Sequence, residues 1–319
     1  MKKTGLLLVL CAALSYAQQN TVATTGDQGS SSTPIMTAGS FPFERMQTPT
    51  TADLYCAGFI SEHPMPNADY VAGGLNTPTA SKFENGDLIY LAGSGYQVGQ
   101  EYSVLRELVD PNEAELFQGQ ERLLKALGQP YSELGRIKII DTRSKMAIAQ
   151  VEFSCDALVA GDIAVPYADK TPVSYHLPVR FDRYLPASSK TRGRIVLAKD
   201  FDSQLGTGGK VYFNVGANQG VKVGDYFRAV RPYSADLKDP VDSLSFKAAE
   251  SEDTQKNQPA FEPNLLTRTK GPAIHVADMP RRAVGEIVVL STTPTTSTGM
   301  IVFALEEVHV GDQVEADEQ

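Results

Sequence analysis

The sequence predicts a mainly β protein made of two small β-barrels in tandem, each a copy of one unit. Three observations predict it. Residues 134–165, "LGRIKIIDTRSKMAIAQVEFSCDALVAGDIAV", align without a gap on 284–315, "VGEIVVLSTTPTTSTGMIVFALEEVHVGDQVE". Gly135 then meets Gly285, Phe153 meets Phe303, and Gly161-Asp162 meets Gly311-Asp312. Upstream, "YLAGSGYQVGQEYSVLR" (90–106) aligns on "YFNVGANQGVKVGDYFRAVR" (212–231), bringing Gly99-Gln100 onto Gly224-Asp225 and Arg106 onto Arg231. Within both copies, apolar and polar residues alternate. Ile137 and Ile139 alternate with Arg136 and Lys138, so one face of the strand is buried and the other is not. Five such runs per copy, separated by Gly, Asn or Asp, bury one face by curling into a barrel that also protects its edges.

The elements follow in chain order. Residues 1–17, "MKKTGLLLVLCAALSYA", carry Lys2 and Lys3, an apolar run and a small-x-small end, which predicts a secretory signal peptide cleaved after Ala17. Leu10 argues against acylation of Cys11, because lipoprotein signals place a small side chain before that cysteine. Residues 18–52, rich in Thr, Ser and Gln, predict a flexible tether. Residues 53–85 are expected to dock on the first barrel, with "DLYCAGFIS" as a strand. The first repeat occupies 86–167, and within it 109–130 predict a short amphipathic helix ending at Gly128. A linker at 168–192 leads to the second repeat, 193–316. Its 232–283 insert is charged and proline-punctuated, and disorder is expected there. The glycines of the Gly-Asp pairs suit turns of positive φ, and the aspartates suit capping of nearby backbone N–H groups.

Removing the signal leaves 27 basic against 38 acidic residues, a net charge of −11. That balance repels phosphate backbones and argues against a nucleic-acid partner. No other segment is long and apolar enough to cross a membrane as a helix. Two cysteines remain, Cys56 and Cys155, and in an exported chain they predict one disulfide, the alternative being two buried thiols.

In the second copy, "GRIVLAKD", "VYFNVGANQGVKVGDYFRAVRP", "VGEIVVLS" and "EVHVGDQV" together resemble the C-terminal SH3-like barrel of a flagellar H-ring assembly protein. The matching positions are Asn214-Val215-Gly216, Gly220-Val221, Gly224-Asp225, Phe227, Gly285, Ile287 and Gly311-Asp312. The resemblance covers roughly 193–315, and the first copy shares it in part, with Gln100 in place of the first Asp. It implies two tandem SH3-like barrels of an exported bacterial envelope protein. Motifs made of turn and core residues specify a fold better than a partner.

No pattern points to catalysis. His63, His176, His275 and His309 share no metal-ligand spacing with one another or with the cysteines, and His309 is expected to be half-exposed on the last strand. "GTGGK" (206–210) fails the phosphate-loop pattern, since Gln204 and Val211 occupy two of its required places. Neither a metal nor a cofactor is expected. Of the tyrosines and phenylalanines around the first hairpins, Tyr90, Tyr212 and Phe227 are expected in the core, while Tyr96 and Tyr226 are the candidate binding surface. The sequence therefore predicts a non-catalytic adaptor of the cell envelope that binds other proteins. The alternative is a module that binds peptidoglycan.

Overall fold

The computed structural model describes residues 47–75, 80–110, 115–143, 145–173, 181–184, 186–231 and 280–317. The expected signal peptide, nearly all of the tether, His176, His275 and most of the 232–283 insert lie outside the described residues. Both barrels belong to one compact unit, Phe43–Gln319.

The chain opens with helix α1 (Thr51–Tyr55), where Thr50 and Asp53 form a reciprocal capping box. Strands β1 (Phe59–Ser61), β2 (Tyr70–Gly74), β3 (Leu88–Ala92) and β4 (Glu101–Glu107) follow. Helix α2 (Gln120–Leu127) precedes β5 (Gln129–Asp141), β6 (Ala147–Ser154) and β7 (Ile163–Pro166). The second half contributes β8 (Arg192–Ala198), β9 (Gln204–Leu205), β10 (Lys210–Phe213), β11 (Tyr226–Arg231) and β12 (Arg282–Thr292). Strands β13 (Ser297–Ala304), β14 (Val308–His309) and β15 (Gln313–Ala316) complete it.

Two closed antiparallel barrels result. The first runs β5-β4-β7-β2-β3-β6 and closes back on β5, with β1 added outside along β5. The second runs β12-β11-β15-β8-β10-β13 and closes on β12. The order is identical once repeat-equivalent strands are matched, and the arrangement is consistent with SH3-like barrels in general. Even the irregularities repeat. The bulge between Val104 and Leu105 recurs between Ala229 and Val230, and that between Arg136 and Ile137 recurs between Glu286 and Ile287. Beside the latter bulge a Cβ on Gly135 would lie 2.2 Å from the Phe153 carbonyl oxygen, and one on Gly285 2.7 Å from that of Phe303. Neither position has room for a side chain.

Each barrel has six strands, one more than the alternation suggests. In the first, the extra strand is β2, so this barrel begins well before residue 86. "YVAGG" escapes a reading based on alternation because its glycines carry no side chain to alternate. "DLYCAGFIS" is likewise divided between α1, a turn and β1, because the Thr50–Asp53 cap starts a helix there. Phe83 bridges Leu158 in the first barrel as β9 pairs with β14, through Leu205 and Val308, in the second. Side chains fill both interiors: Ile89, Leu91, Ile137 and Val151 in one, Phe213, Phe227, Ile287 and Ile301 in the other. These barrels are packed cores.

The barrels are joined by pieces of the first half that cover the second. Helix α2 lays Leu123, Leu124 and Leu127 against Val196, Leu197 and Tyr212, and Gln120 Nε2 donates to the Val196 carbonyl at 3.0 Å. Phe117, just before α2, is 2% exposed, belongs to the core of the second barrel and has the Arg194 guanidinium 4.7 Å from its ring centre. Residues 181–184 and 186–191 also pack on the second barrel: Ser188 N–H donates to Glu315 and Ala283 N–H to the Arg183 carbonyl. Cys56 and Cys155 form a disulfide that ties the end of α1 to the end of β6. A bridge enclosing a loop of this length contributes about 2–4 kcal/mol, largely by restricting the unfolded chain.

Candidate interaction face

The two Gly-Asp pairs of the repeat are structural anchors. Gly161 and Gly311 have φ of 99° and 109°, values that favour glycine. Asp162 receives Arg106 through Nε at 2.8 Å and Nη2 at 2.9 Å, and Asp312 receives Arg231 in the same two-point manner at 2.8 and 2.7 Å. Each aspartate also caps a backbone N–H, that of Val159 or of His309. Gly99-Gln100 and Gly224-Asp225 form a second matched pair of turns. Gln100 Oε1 accepts from Gln97 N–H as Asp225 accepts from Lys222 N–H, so the glutamine does the work of the aspartate it replaces.

Neither candidate tyrosine is an open binding surface. Tyr226 is 7% exposed and clusters with Leu54 and Ala57, so what it receives is the chain's own N-terminal segment. Tyr96 is half-buried, packs edge-on against Tyr102 at 5.3 Å and donates to the Ala92 carbonyl. Burial and the neighbouring Asp69 push its hydroxyl well above the usual phenolic range. Tyr212 and Phe227 are buried as expected, but Tyr212 points outward, into the seam with α2 and β1. Tyr90 alternates with buried Ile89 and Leu91 and is half-exposed on the outside of its barrel. His309 is buried rather than half-exposed, and Lys210 of "GTGGK" pairs with Asp53 at 2.8 Å. Among the described residues no group of His, Cys, Asp and Glu is placed to hold a metal.

A more informative site emerges when the outer faces of the two barrels are compared position by position. On the second barrel, Tyr226, Val288, Leu290, Met300 and Val302 point outward and are at most 7% exposed, clustered with Leu54 and Ala57 of the α1 segment. Gln47 N–H also donates to the Val302 carbonyl. On the first barrel the equivalent positions are Glu101, Lys138, Ile140, Gln150 and Glu152, all exposed or half-exposed. There Arg136 and Lys138 each lie 3.3–3.7 Å from Glu101 and Glu152, a ladder of ion pairs across β4, β5 and β6. One barrel thus uses this face to hold a segment of the chain, and the other presents it to solvent.

At one end the open face runs into a cleft of about 350 Å³ between α1 and the first barrel, lined by Tyr55, Ser103, Arg136, Glu152, Phe153 and Tyr167 among others. Tyr55 and Tyr167 stack with ring centres 5.7 Å apart, too close to admit a cation between them. Arg136 lies 5.1 Å from the Tyr167 centre and Lys170 5.8 Å from that of Tyr55, so the two cations flank the stack. Lys170 also pairs with buried Glu133 at 2.6 Å, and Glu133 accepts the Gly58 N–H. The cleft therefore has rigid walls.

The counterpart of Arg136 on the covered barrel is Glu286, 1% exposed and directly opposite Arg228 on β11. Burial, reinforced by Asp317 and partly offset by Arg228, pushes its carboxyl up to about 7. An acid raised in this way costs nothing below its unfolded value, and the cost grows as pH rises through the folded one. Glu286→Gln should therefore leave stability nearly unchanged at pH 4.5 and raise it by about 2 kcal/mol at pH 8, the size set by the shift after allowance for screening. Thermal melts of both proteins at the two pH values test this; a gain independent of pH would refute it.

No protein-family model matches the chain, and a search of curated proteins returns no match. The open face was not among the residues singled out from the sequence. Its signal was nonetheless present in the repeat alignment, as a set of outward positions that are apolar in one copy and, except for Ile140, charged or polar in the other.

Proposed function

We propose that the protein is a non-catalytic adaptor of the bacterial cell envelope that binds partner proteins through the open face of its first barrel. The observation that carries this reading is the unequal use of one face in two copies of one fold. On the second barrel the face is occupied by a protein segment, and on the first the same face is open, charged and continuous with a rigid cleft. The disulfide is compatible with an oxidising compartment, and no described helix is long and apolar enough to cross a membrane. The resemblance of the second copy to a flagellar H-ring assembly protein makes an envelope assembly the natural setting. Peptidoglycan binding is the weaker alternative, because a sugar ring needs a free aromatic face and the tyrosines at the cleft are stacked and flanked by cations.

A photoreactive amino acid at Lys138, introduced in the native host, should trap one defined envelope protein. The product should disappear when Glu152→Lys reverses the adjacent charge, and the same probe at exposed Lys222 should not give it. Cosedimentation of the purified protein with sacculi, in the absence of any such crosslink, would replace this reading with the glycan one.

A further inference from the structure

The second barrel shows in atomic detail how this fold holds a short segment, residues 57–60, that turns at Gly58 and enters β1. Tyr212 Oη donates to the Ala57 carbonyl at 3.1 Å, Thr298 Oγ1 to that of Gly58 at 2.9 Å and Thr296 Oγ1 to that of Ile60 at 3.2 Å. The Ile60 side chain is fully buried beside Val196, Leu197 and Tyr212. Three hydroxyls on the outer face thus read the backbone of 57–60, and an apolar pocket takes one side chain.

The first barrel carries the same positions in the same register. Tyr212 sits opposite Thr298 and Leu197, as Tyr90 sits opposite Ile148 and Gly73. The tyrosine is retained. Its hydroxyl has no hydrogen-bond partner among the described residues. The two threonines are replaced by Met146 and Ile148, and Val196-Leu197 by Ala72-Gly73. Met146 is 44% exposed and Ile140 40%, and Ala72, Tyr90 and Ile148 are half-exposed, so this outer face is apolar and partly open to solvent. Ala72 and Gly73 are smaller than the Val196 and Leu197 they replace, and the lost hydroxyls shift recognition from backbone carbonyls to apolar groups. On β6, Ile148 shares its outward face with Gln150 and Glu152, and Glu152 lines the cleft against α1.

We infer that this patch receives an extended peptide segment of a partner protein, apolar at alternate residues, with one backbone carbonyl bonded to the Tyr90 hydroxyl. Alternation is required because successive side chains of an extended segment point to opposite sides, and one side faces Met146, Ile148 and Ala72. The inference rests on the adaptor reading and specifies the chemistry of its partner.

The test is to pan a displayed library of random dodecapeptides on the oxidised protein, residues 18–319, with counter-selection on an Ile148→Lys variant. Enriched peptides should carry aliphatic or aromatic residues at alternate positions. A synthetic peptide of the enriched sequence should bind roughly tenfold or more weakly to I148K and roughly three- to tenfold more weakly to Tyr90→Phe, as expected for loss of one hydrogen bond. Thermal melts of both variants should match the parent protein, which separates lost binding from lost folding. No enrichment, or peptides that bind I148K equally, would overturn the inference. So would concentration-dependent dimerisation abolished by I148K, which would make a second copy the occupant. If a partner is trapped at Lys138 while panning fails, the inference falls alone; if both fail, the adaptor reading falls with it.

Discussion

Asp312→Ala should destabilise the protein by about 3 kcal/mol, because it removes the two-point partner of a buried guanidinium that keeps only the Glu307 carbonyl and the more distant Glu306. The Arg231 side chain is 9% exposed and Asp312 6%, and the carboxylate accepts two of the guanidinium's bonds as well as the His309 N–H. Removing it leaves Arg231 charged with little water to replace the lost partner. The repeat supplies an internal control. Asp162→Ala breaks the same two-point pair in the first barrel, but there Arg106 is 31% exposed and stays hydrated. Its cost should be smaller, about 1–3 kcal/mol, mainly the lost bonds and the uncapped Val159 N–H. Urea unfolding followed by far-ultraviolet circular dichroism measures both, and equal losses at the two sites would contradict the argument from burial.

Phe117→Ala should cost about 3–5 kcal/mol, the usual range for deleting a buried aromatic ring. The informative part is where the damage appears. Phe117 belongs to the insert of the first repeat, yet its ring lies in the core of the second barrel, near Gly311 and under Arg194. Hydrogen exchange should therefore quicken chiefly in β8 and β15, with β3 and β6 of the first barrel much less affected. Loss of protection confined to the first barrel would mean that the insert serves its own repeat. The parent protein should unfold in one transition, because α1, α2, β1 and the Cys56–Cys155 bridge make each barrel part of the other's surroundings.

These contacts also explain which features a reading of the chain reaches. Period-two alternation and the gapless repeat in 134–165 and 284–315 identify two copies of a β-barrel, since the side-chain period of a strand is a local property. The Gly-Asp turns are legible for the same reason. The cysteine pair follows from counting and from the expectation of export, and Gly128 stops α2 where the amphipathic pattern ends. β2 was hidden because "YVAGG" lacks side chains that alternate, and its place is set by pairing with β3 and β7 across the barrel.

By itself the sequence determined the duplication, the faces of β5 and β6, the helix insert and the bridge, all of which depend on residue type at short spacing or on internal comparison. Tyr90 and Tyr212, expected in the core, point outward instead. Tertiary structure decided what each face touches. Tyr226 is as aromatic as any binding residue, but α1 covers it. Phe117 lies in the insert of the first repeat but completes the core of the second. Tyr90 and Tyr212 are the same residue at the same place in two copies, and the packing of residues 57–60 and α2 over the second barrel buries one and leaves the other half-exposed. Which surface a segment covers depends on the summed packing of residues distant in the chain, and no local pattern of residues encodes that sum.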